Sequence, residues 1–211
     1  MPHLLRIDSS ISPNSFTREI ADVYEGVWSA RGGDYTVGRR DLAANPLPHL
    51  ASSALHWPER LRQFSPDVPE QEALQAEILA EIAAADVLLI GAPMYNYAMP
   101  SQLKAWVDFI HVPGLTTPFD SDTQPFAGKV AVIVSARGGA YDPGSPEEAM
   151  DHVIPPLRLV LEGSLGMSIA TIVTNRTLAE TIPSLEIARS QEELRLAKDA
   201  AEAHARTVLL P

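Results

Sequence analysis

"LLIGAPMYNYAMPSQLKAWVDFI", residues 88–110, decides how the rest of the chain is read. The run DVLLIGAP (86–93) is apolar without alternation, as in a parallel strand covered on both faces. Leu103, Trp106, Val107 and Ile110 then recur at helical spacing. Between strand and helix stand Met94, Tyr95, Asn96 and Tyr97. A loop built only to turn the chain is better served by Gly, Asp or Ser. Two tyrosines one position apart cannot both point inward, so core packing does not account for both.

The same alternation extends in both directions. HLLRID (3–8) reads as a strand, and Phe16, Ile20, Val23, Tyr24, Val27 and Trp28 mark a helix that Gly32–Gly33 ends. YTVGRRDL (35–42) is a second, weaker strand. Residues 45–69 are irregular, with prolines at 46, 48, 58, 66 and 69 and room for one short helix near 50–57. Leu74, Ile78, Leu79 and Ile82 mark another helix. KVAVIVSA (129–136) is a buried strand, 146–163 a helix, MSIATIV (167–173) a fifth strand and 185–208 a charged final helix. Strands alternating with helices imply an α/β fold, a parallel sheet with helices on both faces and right-handed crossovers. The orders 2-1-3-4-5 and 3-2-1-4-5 both fit, and in each the ligand sits beyond the carboxyl ends of the strands. With no internal repeat or linker, the chain is expected to form one domain over 1–211.

Composition narrows the function. A net charge of −11 disfavours a broad footprint for nucleic acid or an anionic membrane. It does not disfavour a small anion, because a helix N-terminus binds phosphate without net positive charge. No cysteine is present, which excludes disulfides, thiolate metal sites and Cys nucleophiles and fits a reducing cytosol. The start MPHLLRIDSS lacks the basic and apolar regions of a signal peptide, and no apolar run reaches about 18 residues. A soluble cytoplasmic protein is expected. His3, His49, His56, His111, His152 and His204 have no metal-ligand spacing, so no metal site is expected. His111, near the end of the third helix, is the one candidate for proton supply; Asp8 and Asp108 read as structural.

Three loops share the expected ligand rim: DSSISPNSFTRE (8–19), APMYNYAMPS (92–101) and SARGGAYDPG (135–144). Ser9, Ser10, Ser12, Asn14, Ser15 and Thr17 crowd the start of the first helix. Taken singly, Ser15 or Asn14 is a helix cap. Together, hydroxyls and free N–H groups at the positive end of a helix form an anion cradle. The loop has no glycine, so it is neither a G-x-G-x-x-G nor a Walker loop. Gly138–Gly139 lets backbone approach a flat ligand, although a plain turn explains the pair equally well. Tyr95 and Tyr97 offer apolar planes, and Asn96 an amide that both donates and accepts. These residues point to a flat polar heterocycle with a phosphate tail.

At this level of detail the chain resembles the FMN-dependent NADH:quinone oxidoreductases and azoreductases of the flavodoxin-like group. APMYNYAMPSQLKAWVDFI is similar to that family's P-M-Y-N-F/Y…P-x-x-L-K-x-W/Y-x-D motif, VSARGG to its R-G-G loop, and RIDSSISPNSFTRE to its phosphate loop. VPGLTTPF and SLGM match weaker positions, so the resemblance runs along nearly the whole chain. It implies a three-layer sandwich around a five-stranded parallel sheet of order 2-1-3-4-5. It implies FMN held at the phosphate by Ser10, Ser15, Phe16 and Thr17. Met94, Tyr95, Asn96 and Tyr97 would lie against the isoalloxazine, Asn96 at its reacting edge; Ala136, Arg137, Gly138 and Gly139 would meet its other side. No side chain need act as nucleophile. The resemblance further implies NADH or NADPH as donor, ping-pong two-electron transfer to quinones and aromatic azo compounds, and a homodimer with the active site at the interface. Tyr97, Phe119 and Ser164 are the expected substrate-cleft positions. Thr117 and Ser164 stand where the family commonly has aromatics, which implies a wider, more polar cleft. The competing class is an FMN electron-transfer module without its own substrate, which the acidic charge suits. A flavin-free relative is a third.

Overall fold

A computed structural model describes residues 1–64 and 67–208. Its sheet has five parallel strands in the order β2-β1-β3-β4-β5: β1 His3–Asp8, β2 Thr36–Asp41, β3 Val87–Gly91, β4 Val130–Ala136 and β5 Ser168–Thr174. The helices are α1 Phe16–Ser29, α2 Pro69–Ala84, α3 Ser101–Ile110, α4 Ile154–Arg158 and α5 Ile187–Thr207. The expected order 2-1-3-4-5 and the helices on both faces are what the structure has.

Alternate residues of the strands feed two cores. Leu5, Ile7, Leu88, Ile90, Ala131 and Ile133 pack with Ile78 and Ile82 of α2, Leu103 and Trp106 of α3, and Leu157 of α4. Leu4, Val87, Leu89, Val132 and Val134 face Ile20, Tyr24 and Trp28 of α1 and the small residues Ala197, Ala201 and Ala205 of α5. Burial on both faces is why β3 and β4 read as unbroken apolar runs. The register sets Asp8 beside Gly91 and Gly91 beside Val134, so the loops that follow β1, β3 and β4 leave the sheet at one level.

Two stretches differ from expectation. The helix expected over 146–163 is broken into a 3-10 turn at Pro146–Met150, the short α4, and a π-helical turn at Leu159–Ser164. Pro155 and Pro156 carry no N–H and are tolerated only in a first helical turn, so they fix where α4 starts. Asp151 Oδ1 accepts from the Val153 and Ile154 amides just ahead of them. The Pro-rich stretch has two 3-10 turns, Ser53–His56 and Glu59–Leu61, where one short helix was expected. Buried Gln75 donates to the carbonyls of Leu55 and Phe109, both at 3.0 Å, and fastens that stretch to α2 and α3. Pro66 lies outside the described residues.

Candidate active site

The first loop is built around Ser9, Ser10 and Ser15. Ser9 is buried and donates to the Gly91 carbonyl at 2.6 Å, joining the loops after β1 and β3. Ser15 caps α1, its Oγ accepting from the Arg18 amide at 3.3 Å and lying 3.0 Å from Thr17 Oγ1. The Phe16 and Thr17 amides sit in the first helical turn, where N–H groups have no acceptor within the helix. Arg18 reaches back from α1 to the Ser10 carbonyl at 3.1 Å and to Asp41 at 2.9 Å. That hydrogen bond holds the Asp41 carboxyl below the usual carboxylate range. Asp8, read from the sequence as structural, pairs with Arg6 and Arg18.

Tyr95 joins this loop from the other side. Its hydroxyl accepts from the Ile11 amide at 3.1 Å and lies 3.2 Å from Ser10 Oγ, which itself accepts from the Ser12 amide at 3.3 Å. The two hydroxyls own two protons and need one between them. One O–H is therefore left to donate into the cleft.

Asn96 and Tyr97 form the two central residues of a tight turn closed by hydrogen bonds between Tyr95 and Ala98 in both directions, at 2.9 and 3.1 Å. Their φ angles are 49° and 70°, both left-handed. Asparagine visits that region readily, whereas tyrosine does so at a cost of about 1–2 kcal/mol. The His152 amide donates to the Tyr97 carbonyl at 3.0 Å and braces the turn from outside. Asn96 lines the cleft, while Tyr97 is 55% exposed and stands clear of it.

The third loop is zipped to the segment after β5. Arg176, Thr177 and Leu178 amides donate to the Gly139, Arg137 and Gly138 carbonyls at 2.8, 3.1 and 3.2 Å. A Cβ on Gly138 would lie 2.8 Å from Leu178 Cδ1, so glycine is what lets Leu178 sit over this loop. Arg137 is 8% exposed; its guanidinium pairs with Asp151 and lies 5.7 Å over the Tyr141 ring.

These loops enclose a cleft of about 590 Å³. Of the residues expected at a cofactor, Ser10, Ser15, Phe16, Thr17, Met94, Tyr95, Asn96, Ala136 and Gly138 line it. Arg137 lines a different cavity, and Tyr97 and Gly139 line neither. Ser12 and Asn14, read from the sequence as part of the anion cradle, also line the cleft, as do Ile11, Pro93, Thr177 and Leu178, which were not singled out as binding positions. A somewhat larger cavity of about 650 Å³ shares Asn14, Ser15, Phe16 and Thr177 with it. Glu19, Asp22 and Glu180 line that one, a poor setting for a phosphate.

The cleft fits FMN. Hydroxyls and first-turn amides lie at one end, and Met94, Tyr95 and the side-chain-free Gly138 supply flat walls at the other.

The remaining expected positions lie elsewhere. Phe119 packs edge-on against Trp57 at 4.9 Å and lines a separate cavity with Phe64 and Leu61. Ser164 ends the π-helical turn before β5, at the opposite rim of the sheet, and its carbonyl accepts from Gln124. Thr117 is buried. His111 caps the far end of α3, ten residues and so roughly 15 Å from the start of that helix. Asp108 pairs with Lys104 on the surface of the same helix. Among the described residues, no group of three or more His, Asp or Glu is placed to hold a metal ion. No described helix is long and apolar enough to cross a membrane.

The model of a family with the flavodoxin-like fold matches residues 2–205. A protein of Kineococcus radiotolerans named FMN-dependent NADH:quinone oxidoreductase is 46% identical over 212 residues, covering 99% of this chain and 100% of its own length. A protein of the same name from a Parafrankia species is 38% identical over 211 residues, 98% of each chain. The crystal structure of an azoreductase from Bacillus anthracis superposes with a TM-score of 0.81 at 18% identity, covering 98% of this chain and 99% of that one.

Proposed function

The chain belongs to the flavodoxin-like family and, within it, to the FMN-dependent NADH:quinone oxidoreductases, and on that premise we propose how its cleft works. It is an enzyme that uses NADH to reduce quinones, converting NADH, a proton and a quinone into NAD⁺ and the hydroquinone. FMN, when bound, supplies the two-electron carrier between donor and acceptor. The observation that carries the placement is the cleft itself, with an anion cradle at Ser10–Thr17 and flat walls at Met94–Asn96 and Gly138.

The residues divide the work. The amides of Phe16 and Thr17, with Ser15 and the spare O–H of the Ser10–Tyr95 pair, hold the phosphate. Met94 and Tyr95 lie along the ring, and Asn96 offers its amide to the reacting edge, where it donates to or accepts from ring atoms. Ala136 and Gly138 line the opposite side, where the missing side chain of Gly138 makes room for Leu178 in the wall of the cleft. Aromatic azo compounds are a second class of acceptor.

The molecule acts in the cytoplasm as one domain spanning residues 1–211, paired in a homodimer. Trp57, Phe64 and Phe119 support the dimer: they form an aromatic surface, with Phe119 63% exposed, that this chain does not bring to its own cleft. A second copy then supplies the outer wall over Tyr97.

The test is steady-state turnover of the FMN-loaded protein with NADH and benzoquinone. Double-reciprocal plots are expected to be parallel, as for a donor that leaves before the acceptor enters. Bound flavin without NADH consumption would instead assign the chain to electron-transfer modules that serve a protein partner.

A further inference from the structure

Arg137 stands next to the paired glycines of the ring loop, yet its guanidinium turns away from the cleft into the protein. We propose that the Arg137–Asp151 ion pair is a positioning device that sets Asn96 against the reacting edge of the ligand. This inference rests on the flavin reading given above.

Both side chains are 10% exposed, so the pair is largely withdrawn from water at the wall of its cavity. A buried ion pair is rarely kept for stability alone, because desolvation offsets the attraction; fixing one arrangement of the chain is its best-attested use. Here the arrangement is traceable. Asp151 spends Oδ2 on Arg137 and Oδ1 on the amides of Val153 and Ile154, at 2.8 and 3.1 Å. Those contacts hold residues 151–154 in place. Within that segment His152 pairs with Ala98 as an isolated parallel bridge, and its amide donates to the Tyr97 carbonyl.

The turn so held has two consecutive left-handed residues, Asn96 and Tyr97, neither of them glycine. Such a turn persists only when its surroundings fix it. On the other side, the Arg137 backbone is bonded to Thr174 and Thr177, and Gly138 follows it in the wall of the cleft. One ion pair therefore connects the loop after β4 to the segment that braces the Asn96–Tyr97 turn.

The test uses the FMN-loaded protein and two variants. Asp151→Asn keeps an oxygen for the Val153 and Ile154 amides and removes only the charge that Arg137 faces. Arg137→Lys keeps a cation on a long stem. Four quantities are read for each: FMN affinity, melting temperature, midpoint potential of the bound flavin, and the single-turnover rate of flavin reduction by NADH. A misplacement near 1 Å costs up to roughly a hundredfold in rate, so Asp151→Asn is expected to slow reduction about ten- to hundredfold. FMN affinity should change by less than about threefold, since the phosphate cradle is untouched, and the midpoint potential should shift. Arg137→Lys should retain most of the rate. A lowered melting temperature with unchanged reduction rate and potential would overturn the inference and leave the pair a purely structural contact. Wild-type protein that binds no FMN, or whose flavin NADH does not reduce, would instead overturn the functional reading beneath it.

Discussion

Tyr95→Phe removes a single oxygen and leaves the ring. That oxygen accepts from the Ile11 amide at 3.1 Å and shares a proton with Ser10 Oγ at 3.2 Å. Each neutral hydrogen bond nets about 0.5–1.5 kcal/mol. Because both lie within the protein and act on binding only by ordering the cradle, their sum of about 1–3 kcal/mol, or roughly 5- to 150-fold, is a ceiling on the loss of affinity. The Ile11 amide lies at the surface, where water replaces the lost partner. The expected loss is therefore near the lower end, about tenfold in the dissociation constant for FMN. It should fall on the phosphate, because the pair without its tyrosine hydroxyl no longer pins the cradle. Titrating the apoprotein with FMN and with riboflavin, followed by flavin fluorescence, separates the contributions. The FMN constant should rise about tenfold and the riboflavin constant by less than about threefold. Equal losses for both ligands would show that Tyr95 acts on the ring alone and would refute the hydroxyl-pair reasoning.

Gln75→Leu leaves the Leu55 and Phe109 carbonyls unpaired in a buried site, at a cost of about 2–3 kcal/mol and roughly 5–10 °C in Tm by calorimetry. A change under about 1 °C would mean the Pro-rich stretch is not fastened there. Gly138→Val drives a side chain against Leu178 Cδ1, so FMN binding should weaken, and adding Leu178→Ala should recover most of it; no recovery would locate the clash elsewhere. Burial beside Tyr24 holds the His204 pKa below its ordinary 6.5. The unfolded chain then binds the extra proton first, so this contribution is complete above about pH 6.5 and lost as pH falls through the folded pKa. Wild-type Tm should drop more than that of His204→Gln between pH 7 and 5.5, and equal drops would contradict the assignment.

Strand runs at 86–93 and 129–136 were legible because burial on both faces leaves no polar residue to interrupt them. Their order was not: periodicity left two arrangements open, and only the resemblance to a family chose between them. The hydroxyl-rich start of α1 at Ser10–Thr17 was readable, since capping chemistry is local. The ring end was harder. Arg137 looks like a ligand contact in VSARGG, but its partner Asp151 lies fourteen residues on, in a stretch that reads as one continuous helix. Pro155–Pro156 was the available sign that the helix starts late. Thr177 and Leu178 were missed although they follow a strand that ends on the same rim. Asking of TNRTL what was asked of the other three loops would have found them. Phe119 and Ser164 lie outside the cleft because the first packs on Trp57 and the second ends the turn before β5, at the opposite rim of the sheet.

The most direct measurement is an anaerobic visible-absorbance titration in two stages. FMN-loaded protein is expected to lose its flavin band with about one equivalent of NADH per site, then regain it with about one equivalent of benzoquinone after the nicotinamide is removed. A band that NADH leaves untouched, or a bleached band that the quinone does not restore, would contradict the assignment of this cleft to NADH:quinone oxidoreduction.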